Sequence, residues 1–404
     1  MRVLLSAFAC APGFGSEPNV GWEIVRQVSK VHEVWVLTHV NNRTAIQRGL
    51  TASALPGVHF LFIGLPWFLE KNVKKPWYHH LYYITWQFEA FRAARRIHRE
   101  IAFDMVHHVT YVNSWLPSWM GWIGAPFLWS AGIRDRTPRR FLKHMSRKSR
   151  IWEVTRNILM NTLGTFTHFL TATRASLILS SSDLSLWKKR LPLRRFLHGA
   201  LTPMEFRVLD GGSRPKEDVL RIASAGRLMG LKGFSLSLAA FAEFYRECPT
   251  SEYWIVGDGP EREVLREMAI ELGCERGVRF PGWLPRAKML DLMSHIDILI
   301  HPSFHEQFAY VLLEAMAAGI PVICLDVGGP SMLVTDGCGL KIPMSTPSKV
   351  IHAIHQGLRL LAADPSKRKA MGQEGRRLAY RSWNWDAVGQ SLLEIYENTQ
   401  TRHP

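Results

Sequence analysis

The sequence predicts an α/β protein built from two Rossmann-like domains facing each other across a cleft. Three observations lead there. Its 404 residues exceed what one core ordinarily holds. Short apolar runs alternate with amphipathic segments in both halves, and the turns after the apolar runs are rich in glycine. Strand, turn and helix repeated in this way describe a parallel sheet with helices on both faces. A hydrophobic fraction of 47% against 21% charged residues supplies apolar side chains for two cores.

The elements follow in order. RVLLSAFA opens the chain as a strand. MRVLLSAFACAP places Arg2 ahead of an apolar run and Ala7 and Ala9 around Phe8, as a secretion signal does, but polar, Gly-rich sequence follows at once and assigns the run to an internal strand. VGWEIVRQVSK (20–30) has helical spacing, and strands are expected at 32–39, 58–64, 104–109 and 125–132. The second half gives strands at 219–225, 252–257, 277–282, 296–301 and 321–326, with helices at 234–247 and 260–273. Turn formers and charges cluster at DGGSRPKED (210–218) and divide a domain of 1–205 from one of 215–382. The remaining 383–404 contains WDAVGQSLLEIYENT, expected to be a helix that crosses back to the first domain. No stretch reaches the roughly 20 apolar residues of a membrane span.

Charge is unevenly divided. Residues 1–200 hold 27 Lys+Arg against 10 Asp+Glu, a net +17, whereas residues 201–404 hold 23 against 24, a net −1. One half therefore projects the positive field, as expected of a surface that meets an anionic partner. The five cysteines, Cys10, Cys248, Cys274, Cys324 and Cys338, form no C-x-x-C pair. That argues against a disulfide framework or a zinc knuckle and for a reducing, cytoplasmic setting.

The richest stretch is HPSFHEQFAYVLLEAMAAGIPVI (301–323). The strand 296–301 ends at His301, a loop carries Glu306, and a helix from Phe308 to Ala318 carries Glu314. The free N–H groups of Phe308 to Leu312 make the helix tip an anion site, with phosphate its natural occupant. Carboxylates beside a phosphate would be repelled, so Glu306 and Glu314 are expected to reach the neutral hydroxyls on either side of a diphosphate, those of the sugar and the ribose of a sugar nucleotide. SAGRLMGLKGF sets Arg227 and Lys232 in a glycine-spaced loop after a strand, where two cations would neutralise that diphosphate. GDGPE adds a second Gly-rich turn with Gly257 and Gly259. HEQFA lacks the second histidine of a zinc-protease helix, because Ala309 stands there, and GRLMGLKG has Leu231 where a P-loop needs glycine. No D-x-D occurs, so no divalent metal and no cofactor is expected.

Taken in order, SAGRLMGLKGF, GDGPER, GWLPR, the 301–323 stretch and DVGGP resemble the retaining, GT-B fold glycosyltransferases of family 4. GSEPNVGW (15–22) and DMVHHVTYVNSWLPS (104–118) extend the resemblance into the first half. The resemblance implies a hexosyltransferase in which Glu306 binds the donor sugar, Glu314 the ribose, and Arg227 and Lys232 the diphosphate. Gln307, Phe308, Ala309 and Tyr310 would line the donor site with Gly257 and Gly259. Transfer would proceed with retention and without metal, the leaving phosphate helping to take the acceptor's proton. Gly13, Gly15 and Glu17 would form an acceptor or phosphate loop. His108 or its neighbour His107 would stand near the reacting carbon, His108 being the catalytic choice. Family members commonly carry Glu-Gly-Phe-Gly where this chain has Glu306-Gln307-Phe308-Ala309. Gln307 could select the sugar, and Ala309 would cost roughly 1 kcal/mol if the position requires positive φ. Met332 stands near the place of a common glutamate.

Residues 64–100 and 134–160 mix Trp, Tyr, Phe and Leu with clustered Arg and Lys. Rings beside cations suit an anionic membrane interface. The expected partners are thus a UDP- or GDP-sugar and a glycan or lipid-linked acceptor, a surface-polysaccharide or lipopolysaccharide precursor, with the protein peripheral at the inner face of the membrane. The alternative for these segments is core helices with a solvated charged face. Two other functions compete: a catalytically weakened nucleotide-sugar-binding protein, and a nucleic-acid-binding protein using the basic half. No helix-turn-helix or RNP signature occurs, so no nucleic acid is expected.

Overall fold

The computed structural model describes residues 1–13, 17–70, 76–112, 116–132, 137–181, 192–210 and 219–400. The chain divides into two compact units. One comprises Met1–Arg134, Met160–His198 and Trp385–Pro404, the other Asp135–Leu159 and Gly199–Asn384.

The first unit is built on the strands β1 (Arg2–Ser6), β2 (Glu33–His39), β3 (Val58–Ile63), β4 (Met105–His108), β5 (Phe127–Ser130), β6 (Leu177–Ser180) and β7 (Leu193–Arg195). Among the described residues they form one parallel sheet in the order β3-β2-β1-β4-β5-β6-β7. The inner strands are buried on both faces, which is why β1 and β5 read as apolar runs rather than as alternation, while β4 buries two histidines. The helix Pro76–Ile101 covers one face through Tyr82, Tyr83 and Trp86. The C-terminal helix Trp385–Gln400 belongs to this unit. It lies flush on the helix Glu17–Val28, where a Cβ added at Gly389 would stand 2.6 Å from the Gln27 side chain. Asp386 accepts from Gln27 at 3.3 Å and from Lys30 at 2.7 Å.

The second unit carries β8 (Arg221–Ala225), β9 (Glu252–Val256), β10 (Val278–Gly282), β11 (Ile298–His301), β12 (Val322–Leu325) and β13 (Gly339–Ile342), parallel and in the order β10-β9-β8-β11-β12-β13. The helices Phe234–Glu247 and Pro347–Ala363 pack on it, their apolar faces meeting Ile222, Ile298 and Ile323 in the core.

Residues 135–159 depart from the expected division, since the sequence places them in a first domain of 1–205 and they pack with the second unit. Phe141 and Met145 enter that unit's core, the Phe141 ring 4.8 Å from that of Phe304. Ser146 and Ser149 donate their hydroxyls to Glu261, and the Ser146 N–H donates to the same carboxylate at 3.2 Å. No helix among the described residues is long and apolar enough to cross a membrane.

Candidate active site

The order of the second sheet reverses between β8 and β11, so the connections leaving these neighbours part and open a crevice at their carboxyl ends. Arg227 and Lys232 lie on the loop after β8, and Glu306 lies on the loop after β11. The fold thus brings together three of the residues singled out in the sequence.

Backbone contacts fix these loops. The Phe304 N–H donates to the Leu231 carbonyl at 2.9 Å, which ties the β11 loop to the β8 loop. The Leu228 N–H donates to the Asp258 carbonyl at 2.9 Å, tying the β8 loop to the loop after β9. Gly257 and Gly259 make that approach possible. Gly257 has φ +132°, and a Cβ there would stand 1.9 Å from the Gly226 oxygen; Gly259 has φ +156°, with the Leu228 oxygen at 2.4 Å. Their visible work is to seat the cation-bearing loop. On the other side the Gly329 N–H donates to the Glu306 carbonyl at 2.8 Å, so DVGGP braces the Glu306 backbone.

Glu306 is paired on both sides. Lys232 Nζ donates to Oε2, and His301 Nε2 lies 3.1 Å from the same oxygen. Burial pushes the carboxyl's pKa up, but the Lys232 charge and the His301 hydrogen bond outweigh it and bring it down to about 2. Glu306 is therefore an anion at neutral pH. Arg227 is exposed and pairs with no carboxylate among the described residues. Gln307 is half-buried. Phe308 turns into packing, its ring 4.6 Å from Tyr310 and against Gly199, where a Cβ would lie 2.6 Å from the ring.

The helix starts at Tyr310, two residues later than expected, and runs to Ala317. The Leu312 N–H donates to the Ala309 carbonyl at 3.0 Å, so it is not one of the free donors at the tip. Ala309 has φ −94° and ψ 86°, so the position does not demand the left-handed region and alanine carries no strain there. Met332 sits in the short helix Pro330–Leu333, its N–H turned to the Gly329 carbonyl.

Glu314 is 2% exposed. Arg286 donates to it through Nη1 and to Glu205 through Nη2, the latter at 2.5 Å. Burial pushes the Glu314 carboxyl up, and Arg286 only partly counters that. Arg286, Glu205 and His301 were not singled out as site residues. Arg286 closes the motif GWLPR, where a cation after a turn gives no sign of its buried partner; His301 was legible only as the end of a strand.

In the first unit the histidine pair is packed. His107 is fully buried, with Nδ1 2.7 Å from Tyr396 Oη and Nε2 2.8 Å from Ser130 Oγ, which in turn meets His198 at 2.7 Å. His108 points the other way, Nδ1 lying 2.9 Å from Ser118 Oγ and Nε2 3.4 Å from Tyr83 Oη. Burial holds both rings neutral, His108 at about 4 and His107 well below its ordinary value, and at His107 the neighbouring imidazoles of His198 and His108 further disfavour a proton. With both nitrogens of each ring engaged, the geometry favours a packing role over the expected place at a reacting carbon. Glu17 begins the helix Glu17–Val28 and accepts from the N–H groups of Tyr111 and Val112. It thereby holds the turn after β4, where Tyr111 has φ +59°, a conformation that costs roughly 1–2 kcal/mol. Gly13 has φ +75° with open space around it. Gly15 lies outside the described residues.

Residues 209–378 match the glycosyl transferases group 1 family. That segment contains Arg227, Lys232, Gly257, Glu306 and Glu314. The chain is 29% identical over 175 residues to the lipopolysaccharide core biosynthesis glycosyltransferase LpsE of Rhizobium meliloti, covering 43% of this chain and 48% of that protein. The chain spans about half the length of the curated relatives it matches. Several solved structures resemble it over nearly its whole length. Sucrose-phosphate synthase from Thermosynechococcus elongatus has a TM-score of 0.64 at 17% identity, covering 99% of each chain. Anabaena HepE in complex with UDP-glucose has 0.58 at 17%, covering 98% of this chain and 100% of that one. These likenesses show the fold, two Rossmann-like parallel-sheet units of the GT-B class.

Proposed function

We propose that the protein is a retaining, metal-independent glycosyltransferase of family 4 that moves a hexose from a UDP- or GDP-sugar to a glycan or lipid-linked acceptor. One observation carries the reading: an ionised Glu306, held by Lys232 and His301, stands at the carboxyl end of β11 beside a helix tip and the cationic loop after β8. A carboxylate kept charged in a largely buried place is suited to accept hydroxyl hydrogens from a sugar. Arg227 and Lys232 carry the charge that a departing diphosphate needs. In the reaction the bond from the sugar's anomeric carbon to the phosphate oxygen breaks, the acceptor oxygen bonds to that carbon on the same face, and the acceptor's proton passes to the leaving phosphate. Arg286 would shift between Glu314 and Glu205 as the ribose hydroxyls reach Glu314.

The acceptor belongs to a surface-polysaccharide or lipopolysaccharide precursor met at an anionic membrane surface, with the protein on its cytoplasmic face. Support comes from the +17 half of the chain, from the lipopolysaccharide relative, and from the helix Arg147–Asn161, whose outer face leaves Ile151, Trp152 and Ile158 exposed beside Arg147, Lys148 and Arg150.

The test is to incubate the purified chain with UDP-, GDP- and ADP-sugars and follow donor hydrolysis and transfer. Lys232→Ala and Glu306→Ala are each expected to lower turnover by about 100-fold or more, with unchanged circular dichroism. Near-wild-type turnover in either variant contradicts the assignment. Binding of a donor with no turnover in the wild type would mark a binding protein instead.

A further inference from the structure

His305, the residue before Glu306, is gripped by a buried charged cluster that the donor-site reading does not use. Its Nε2 lies 2.6 Å from Thr137 Oγ1, 3.0 Å from Arg156 Nη2 and 3.3 Å from Glu153 Oε1. Glu153 is 1% exposed and accepts from the Thr137 hydroxyl at 2.5 Å and from Arg156 at 2.5 and 3.0 Å. From the other side the Ser303 hydroxyl donates to the His305 carbonyl at 2.9 Å. The segment bearing Thr137 and Glu153 also borders the loop of Lys232, since a Cβ added at Gly230 would stand 2.8 Å from Met145 and 2.9 Å from Ser149.

Apolar side chains of similar volume would stabilise such a contact at least as well, because two ions must be stripped of water to make it. What the ions add is a fixed direction: Arg156 and Glu153 set the His305 ring, and the ring sets the backbone one residue from Glu306. Burial pushes the Glu153 carboxyl up, but hydrogen bonds from His305 and Arg156 more than reverse this and hold it well below the usual carboxylate range, so the cluster is charged at neutral pH.

We propose that Glu153 and Arg156 are positioning residues that act through His305 to hold Glu306 where the sugar of the donor must be met. This rests on the reading of Glu306 as the sugar-binding carboxylate.

The experiment is a double-mutant cycle on the full chain with Glu153→Gln, His305→Ala and the pair, measuring binding of UDP-glucose and of UDP by calorimetry. Each single variant is expected to weaken UDP-glucose binding by about tenfold and UDP binding by less than about twofold, and the double variant to be no weaker than either single. Losses that add, or equal losses for UDP and UDP-glucose, overturn the proposal. Should Glu153→Gln fail to fold, Thr137→Val runs the same cycle with a smaller expected loss. Should the wild type bind neither nucleotide, GDP-mannose and GDP replace them in the cycle; should it bind none of these, the donor-site reading fails, and amide exchange still decides this point: faster exchange at 302–309 with no change at 221–225 in the variants supports it, and unchanged exchange at 302–309 overturns it.

Discussion

At the scale of single residues, the decisive group is a glutamate whose charge is maintained by its neighbours. Glu306 falls from an ordinary 4.5 to about 2 because Lys232 and His301 outweigh its burial. A depressed carboxylate contributes stability that is fully present above the unfolded value and is lost as pH falls through the folded one. The window is thus about 4.5 down to about 2, and chemical denaturation across it should show the wild type losing stability more steeply than Glu306→Gln; identical slopes would mean that the ion pair does not form. Glu306, Arg227 and Lys232 were legible in the sequence because each follows an apolar strand run, which places it at a carboxyl end. The histidine pair was not legible in this way. Strand alternation sends His107 and His108 to opposite faces, and only the packed structure supplies Ser130 and Tyr396 on one and Ser118 and Tyr83 on the other.

At the scale of elements, the strands around the site were read within a few residues, because parallel strands buried on both faces leave unbroken apolar runs. The short strands β6, β7 and β13 were missed: β6 offers only Leu177 to Leu179 between serines, β7 is three residues with two arginines, and β13 is four residues opened by a glycine. The segment 135–159 was assigned to the wrong core, since Phe141 and Met145 are apolar residues in a basic stretch and nothing local says which sheet they serve. The loops that carry the site depend on contacts of the same nonlocal kind. Gly257→Ala would set a Cβ into the Gly226 oxygen at a positive φ, so it should cost on the order of 1–3 kcal/mol and lower the melting temperature by roughly 5 °C. Nucleotide binding should weaken with it, as the Arg227 loop loses its seat. A variant with wild-type melting and binding would show that the two loops are not held together as described.

At the scale of the whole molecule, the proposed meeting with an anionic surface draws on the charge asymmetry of +17 against −1 and on the exposed apolar residues of the helix Arg147–Asn161. On this reading the protein floats with liposomes containing anionic lipid, less so in high salt as screening removes the basic contribution, and Ile151→Glu with Ile158→Glu reduces flotation at unchanged melting temperature. Flotation that is absent, or indifferent to salt, contradicts it. The two-sheet plan was visible from the repeated strand, turn and helix pattern, whereas the contact of Gly389 with Gln27, one of those that seat the last helix on the helix Glu17–Val28, left no local sign.

What the crevice between β8 and β11 receives is decided by a crystal structure of the protein soaked with a UDP-sugar. The expected result is the diphosphate against Arg227 and Lys232, with sugar hydroxyls on Glu306. A bound nucleotide sugar whose hydroxyls miss Glu306 and whose diphosphate makes no contact with Arg227 would contradict it.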